Sequence, residues 1–193
     1  MTRYLTRALI SALLFILTGP YYAARAQQPD NLPQIIAGIP FKGAKKFEDP
    51  RLGLGVTYEN EGASLTLFIY NYNAGQREIP TGIDGSILRE QFEQSKGDLQ
   101  EAVRQKMLDK AVLEREGVAH LGSHEPTVPA REAVFELKKG DNEFKSYLYI
   151  TAGNNFLFKV RYTVPKAGEQ LKGPSPEMIS REVGDLISSW LHR

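Results

Sequence analysis

The 193-residue chain contains no cysteine, and that absence removes several kinds of chemistry together. Disulfides, thiolate nucleophiles and cysteine-based metal sites are excluded, as is the lipid anchor that bacterial lipoproteins carry on a cysteine at their cleavage point. Excess charge is lacking as well, with 24 basic against 23 acidic residues. Setting aside Arg3, Arg7 and Arg25 leaves 21 basic residues, a balance of about −2 with no basic field to attract nucleic acid. The cluster Lys42, Lys45 and Lys46 is too small to change this. Neither Gly-x-Ser-x-Gly, nor His-Glu-x-x-His, nor a phosphate-cradling glycine loop occurs, and no cofactor is implied. Gly53 and Gly55 sit inside a strand pattern with no helix after them, which removes the nucleotide-loop reading.

What is present at the start reads as an export signal. Arg3 and Arg7 precede an apolar run from Ala8 to Leu17, and Ala24-Arg25-Ala26 offers small residues where a signal peptidase reads. The run is about half the length a bilayer-crossing helix needs, which favours a cleavable signal over residues 1–26 rather than an anchor. The expected product is a periplasmic or secreted protein with no membrane span and no lipid anchor after cleavage behind Ala26. Residues 27–46, rich in Gln, Pro and Asn at their start, read as a leader, and residues 47–193 as one domain.

The domain is organised around the stretch from Phe144 to Val164. Ser146, Leu148 and Ile150 alternate with Tyr147, Tyr149 and Thr151, then Phe156, Phe158, Val160, Tyr162 and Val164 alternate with Leu157, Lys159, Arg161 and Thr163. Period two on both sides of Ala152-Gly153-Asn154-Asn155 predicts a hairpin with a four-residue turn. A second hairpin is predicted from Leu52 to Tyr72, turning at Asn60-Glu61-Gly62, and Arg131 to Leu137 continues the sheet as a meander. Ala111 to Leu121 reads as an edge strand. Leu88, Phe92, Ser95, Leu99, Val103 and Met107 recur at helical spacing, predicting a helix capped by Ser86 that runs to about Asp109. Ser175-Pro176-Glu177 starts a last helix, with Ile179, Val183, Leu186, Ile187, Trp190 and Leu191 as its apolar stripe. Apolar and aromatic residues on both faces of the strands predict an α+β fold, an antiparallel sheet flanked by helices on both faces. The competing reading is an exposed aromatic patch of Phe68, Tyr70, Tyr72, Tyr147 and Tyr149 serving as a partner surface.

The Phe47-x-Asp49-Pro50 lead-in, the GLGVTYE strand, the long helix, VLEREG, PAREAVFEL, YLYITAGNNFLFKVRYTVP and the final ISSWL helix resemble, in order, the PsbP/DcrB-like family across residues 47 to 192. That resemblance implies a PsbP-like α/β/α sandwich and an accessory or binding role rather than an enzyme, and it carries over no functional residue. Two functional expectations follow. One is a non-catalytic interaction module of the cell envelope whose unidentified protein partner meets the Asn73 to Gly85 loop and its neighbours, with Tyr70, Tyr72, Ile79 and Asp84 as contact residues. The alternative is a metal-binding protein or hydrolase using His120 and His124, with a histidine acting as base for Ser123. On an extended strand those imidazoles stand about 13 Å apart, so only a bend at Gly122-Ser123 brings them together.

Overall fold

The computed structural model describes residues 32–49, 52–71, 78–168 and 170–192. Its organising hairpin pairs β7 (Asn142–Gly153) with β8 (Phe156–Ala167), and the turn is tighter than predicted. Asn154 and Asn155 take φ of 50° and 64°, and Gly153 already pairs with Phe156. Two asparagines in the left-handed region suit the right-handed twist of the flanking strands, so two residues suffice.

Around this hairpin the strands are β1 (Ile35–Ile36), β2 (Ile39–Lys46), β3 (Leu54–Glu59), β4 (Ser64–Tyr70), β5 (Lys110–Leu121), β6 (Val128–Lys139) and the short β9 (Gln170–Leu171). They form one antiparallel sheet in the order β1-β2-β3-β4-β8-β7-β6-β5, with β9 on the end of β8. Residues 35–36 and 39–46, read from sequence as part of a leader, therefore belong to the sheet, with Ala44 opposite Val56 and Lys46 opposite Leu54. The predicted signal segment lies outside the described residues.

Two helices are found among the described residues: α1 (Ser86–Arg104) and α2 (Pro176–Leu191). α2 begins as its sequence predicts, with Ser175 Oγ accepting the Met178 N–H at 3.3 Å and Pro176 in the first turn. α1 departs from expectation at both ends. Gly85 occupies the cap and no side chain caps the helix, and α1 ends at Arg104 because Lys106 turns to φ 58° and the Leu108 N–H bonds back to Ala102 O at 3.1 Å.

The α/β/α sandwich expected from the sequence is not the architecture. The described residues are mostly an antiparallel half-barrel sheet with only two helices, which do not flank it as layers. β5, β6, β7 and β8 each run 12 residues, and strands of that length accumulate twist and curl. The curl is visible in how α2 is held. Glu182 Oε2 accepts the Ala37 N–H at 2.6 Å beside β1, while Ser180 O accepts the Gly122 N–H at 3.1 Å just past β5. One helix thus touches both ends of the strand order. The aromatic residues that suggested a second helical layer instead fill the inside of the curve. Tyr58, Leu65, Tyr147, Tyr149, Val160 and Tyr162 pack there with Ile179, Val183 and Ile187 of α2. Each fully buried apolar side chain of α2 contributes about 2 kcal/mol. Residues of opposite parity, among them Phe135, Phe144, Leu148, Ile150 and Leu157, pack with Leu88, Phe92 and Leu99 of α1.

Candidate functional site

The contact residues expected around the loop before α1 fall mostly inside the protein. Tyr70 is 5 % exposed and its hydroxyl donates to Gln91 Oε1 at 3.2 Å. Ile79 is 3 % exposed, and its N–H donates to Asn155 Oδ1 at 2.8 Å. Both are core residues that tie the loop to α1 and to the turn of the central hairpin, so neither can meet a partner without local unfolding. Tyr72 lies outside the described residues. Asp84 is exposed, with its carboxylate 3.9 Å from Arg131, whose Nε donates to Ile83 O at 3.0 Å. The exposed aromatic patch is likewise corrected: Tyr147 and Tyr149 are buried in the curve of the sheet, the Tyr147 ring stacked on Tyr162 with centroids 5.8 Å apart. Burial of these phenols raises their pKa, Tyr149 most strongly of the two.

The histidines do not share a site. His120 is exposed near the end of β5, its Nδ1 3.3 Å from Thr127 Oγ1. His124 lies past the bend, in a cleft of about 460 Å³ that also includes Leu121, Gly122, Asp185, Ser188 and His192 but not His120. Among the described residues no group of three or more His, Asp or Glu side chains is arranged to hold a metal ion. The hydrolase geometry is also missing at Ser123. Its hydroxyl donates to Asp185 Oδ2 at 2.6 Å and its N–H to Asp185 Oδ1 at 2.8 Å, so the serine faces a carboxylate instead of an imidazole. Those two bonds from Ser123, helped by the charge of His124, hold the Asp185 carboxyl below the usual carboxylate range. Asp185 is a residue that sequence reasoning missed, 62 positions from the serine it clamps. Its arrangement pins the β5–β6 turn to α2.

β5 is the most exposed of the four 12-residue strands. It ends the strand order, and no strand among the described residues pairs with its second edge. Most of its residues are exposed, including Val112 at 40 %, Leu113 at 43 % and Val118 at 54 %. Its charges are largely satisfied within the molecule. Glu116 accepts from Lys96 at 2.6 Å, Arg115 Nε donates to Glu132 at 3.1 Å, and Glu114 pairs with Lys145. A register shift between Leu113 and Arg115 interrupts the ladder with β6, a device that discourages indiscriminate pairing at an edge. The opposite end of the sheet is different, because β1 has two residues and Pro40 sits in β2.

No helix among the described residues is long and apolar enough to cross a membrane. Compared with known proteins, the chain matches no family model, and no curated protein matches its sequence.

Proposed function

We propose that this protein is an exported, non-catalytic accessory module of the cell envelope that holds a protein partner along β5. The export and envelope assignment rests on the signal-like segment at residues 1–26, and the accessory role on the resemblance of residues 47–192 to the PsbP/DcrB-like family. The observation that carries the contact surface is a 12-residue edge strand exposing Val112, Leu113 and Val118 while its own charges are paired internally. An edge of this kind accepts an extended segment by main-chain hydrogen bonding, with side chains supplying selectivity. Because Glu114, Arg115 and Glu116 already have partners, the complementary segment is a largely uncharged strand presenting small apolar residues. The histidine reading is weaker, since His120 lies beside Thr127 and does not line the cleft that includes His124.

The test places a photo-crosslinking residue at position 113 or 118, with position 61 on the distant β3–β4 turn as control, in cells that make the partner. Adducts specific to 113 and 118 are expected, those at 113 abolished by Val112→Lys with Val118→Lys and those at 118 weakened by Val112→Lys. Equal adducts at all three positions, or none at 113 and 118, would remove β5 as the contact surface. Both lysines replace exposed side chains, so the variant folds.

A further inference from the structure

We infer that the face of β4 and β8 beside α1 binds the anionic group of a small ligand, a carboxylate or a phosphate monoester, between Lys159 and Arg161. The two cations stand two residues apart on β8, so they point to the same face. Their neighbours across the ladders carry no charge. Lys159 lies between Phe68 of β4 and Ile150 of β7, and Arg161 between Thr66 and Leu148.

Both side chains are half-buried, and neither has a carboxylate at ion-pair distance among the described residues. Lys159 Nζ sits 4.7 Å from the centroid of the Phe68 ring and 5.9 Å from that of Tyr70. One Arg161 nitrogen donates to Ser95 O at 2.8 Å. Other half-buried lysines of this protein are treated differently: Lys96 has Glu93 and Glu116, Lys145 has Glu114 and Glu136, and Lys166 has Glu136. In the rungs of the same face, the Thr66 and Ser64 hydroxyls are buried with no hydrogen-bond partner. The two donor-only cations therefore stand beside hydroxyls whose hydrogen-bonding capacity is unused, an imbalance that buried polar groups otherwise avoid.

An oxyanion removes that imbalance, because it accepts from an ammonium and a guanidinium at once and its charge offsets theirs. The ring of Phe68 gives an apolar or planar body a surface to lie on, and Phe47 extends it with a centroid 6.4 Å away. Desolvation lowers the Lys159 ammonium to about 8 and also lowers Arg161, with Asp98 partly opposing it for both. A bound anion favours the charged forms that burial penalises. Nothing in this site draws on β5, so it stands or falls separately from the proposed partner contact.

Calorimetric titration of the purified protein with inorganic phosphate and with benzoate, at constant ionic strength, tests the inference. Saturable binding of at least one probe is expected, with Lys159→Met weakening it about tenfold or more and Lys96→Met leaving it unchanged. A preference for phosphate or for benzoate identifies the ligand's anionic group. Absence of saturable binding by both probes, or equal binding by Lys159→Met, overturns the site. Lys159→Met removes a desolvated charge and so folds at least as well as the parent, which keeps its result interpretable.

Discussion

Two glycines in the helices predict opposite outcomes for the same substitution. Gly→Ala within a helix ordinarily stabilises by about 1 kcal/mol, because alanine restricts the unfolded chain and suits the helical backbone. At Gly97, in α1, an added Cβ meets nothing within 4 Å, so Gly97→Ala is expected to gain roughly that amount. At Gly184, in α2, the same carbon would stand 2.0 Å from the Gly122 nitrogen, 2.3 Å from the Leu121 carbonyl carbon and 2.6 Å from the Gly122 Cα. These are backbone atoms, and no rotamer change relieves the clash. α2 must lift from the end of β5, which stretches the Gly122 N–H bond to Ser180 O and loosens the contacts of Ile179, Val183 and Ile187. Overpacking costs about 1–3 kcal/mol and a lost backbone hydrogen bond about 1 kcal/mol, against a propensity gain of about 1 kcal/mol, for a net loss of about 1–3 kcal/mol. Urea denaturation of both variants reads the effect directly, and in a chain of this size each kcal/mol also moves Tm by about 2–4 °C. If Gly184→Ala proved as stable as the parent, the backbone-to-backbone seating of α2 on the β5–β6 turn would be wrong, and with it the way the curved sheet is closed.

Two further perturbations read the electrostatics. The folded pKa of Lys159, about 8, lies below its ordinary value of 10.5, so the unfolded chain binds more protons between those values and stability rises with pH across that window. Lys159→Met should therefore be more stable than the parent below pH 8, by on the order of 2 kcal/mol, with the gap closing towards pH 10.5 in urea titrations; Arg161, Asp98 and Tyr70 are unchanged in the variant, and a gap independent of pH would contradict the burial of this ammonium. Asp185 has a lowered folded pKa, so its stabilisation is present above the unfolded value near 3.9 and is lost as pH falls through the folded one. Asp185→Asn should cost up to about 1 kcal/mol at pH 7, a modest amount because the side chain is exposed, and much less at pH 2–3. An equal cost at both pH values would mean that the Ser123 bonds do not depend on the carboxylate charge.

Periodicity made several elements legible. The Tyr147 and Leu148 faces of the central strand, the apolar stripe of α2, its Ser175 cap and the edge position of β5 all follow from local pattern. What period two does not report is how a sheet bends or what covers each face. Tyr70, Tyr147 and Tyr149 look alike as candidate surface aromatics, and only the curl of the sheet and the placement of α1 bury them. The strands at residues 35–46 were hidden because Pro40, Lys42, Gly43, Lys45 and Lys46 resemble a solvated linker, yet an edge region tolerates such residues. The Ser123–Asp185 clamp had no sequence signal at all, since nothing local relates a turn to a helix 62 residues later. For the same reason the histidine pair at 120 and 124 looked closer to a site than it is. Its four-residue spacing spans a bend that sends His120 towards Thr127 and His124 towards α2.

The curvature also explains why β5 has an open edge. A sheet that curls this far could in principle close on itself and leave no edge, as barrels do. Here α2 stands against both ends, bonded to Ala37 beside β1 and to Gly122 beside β5. A helix with its side chains is about 10 Å across, while hydrogen-bonded strands lie about 4.8 Å apart, so β1 and β5 cannot pair while α2 stands between them. β1 is in any case only two residues long and could satisfy little of a 12-residue neighbour. The same helix that completes the core therefore leaves the main-chain groups of β5 to be met by water, by Gln100, which reaches Ala111 O at 3.1 Å, or by a strand from another protein. The free edge is a consequence of how this fold is stabilised, and it persists in every conformation that keeps α2 seated.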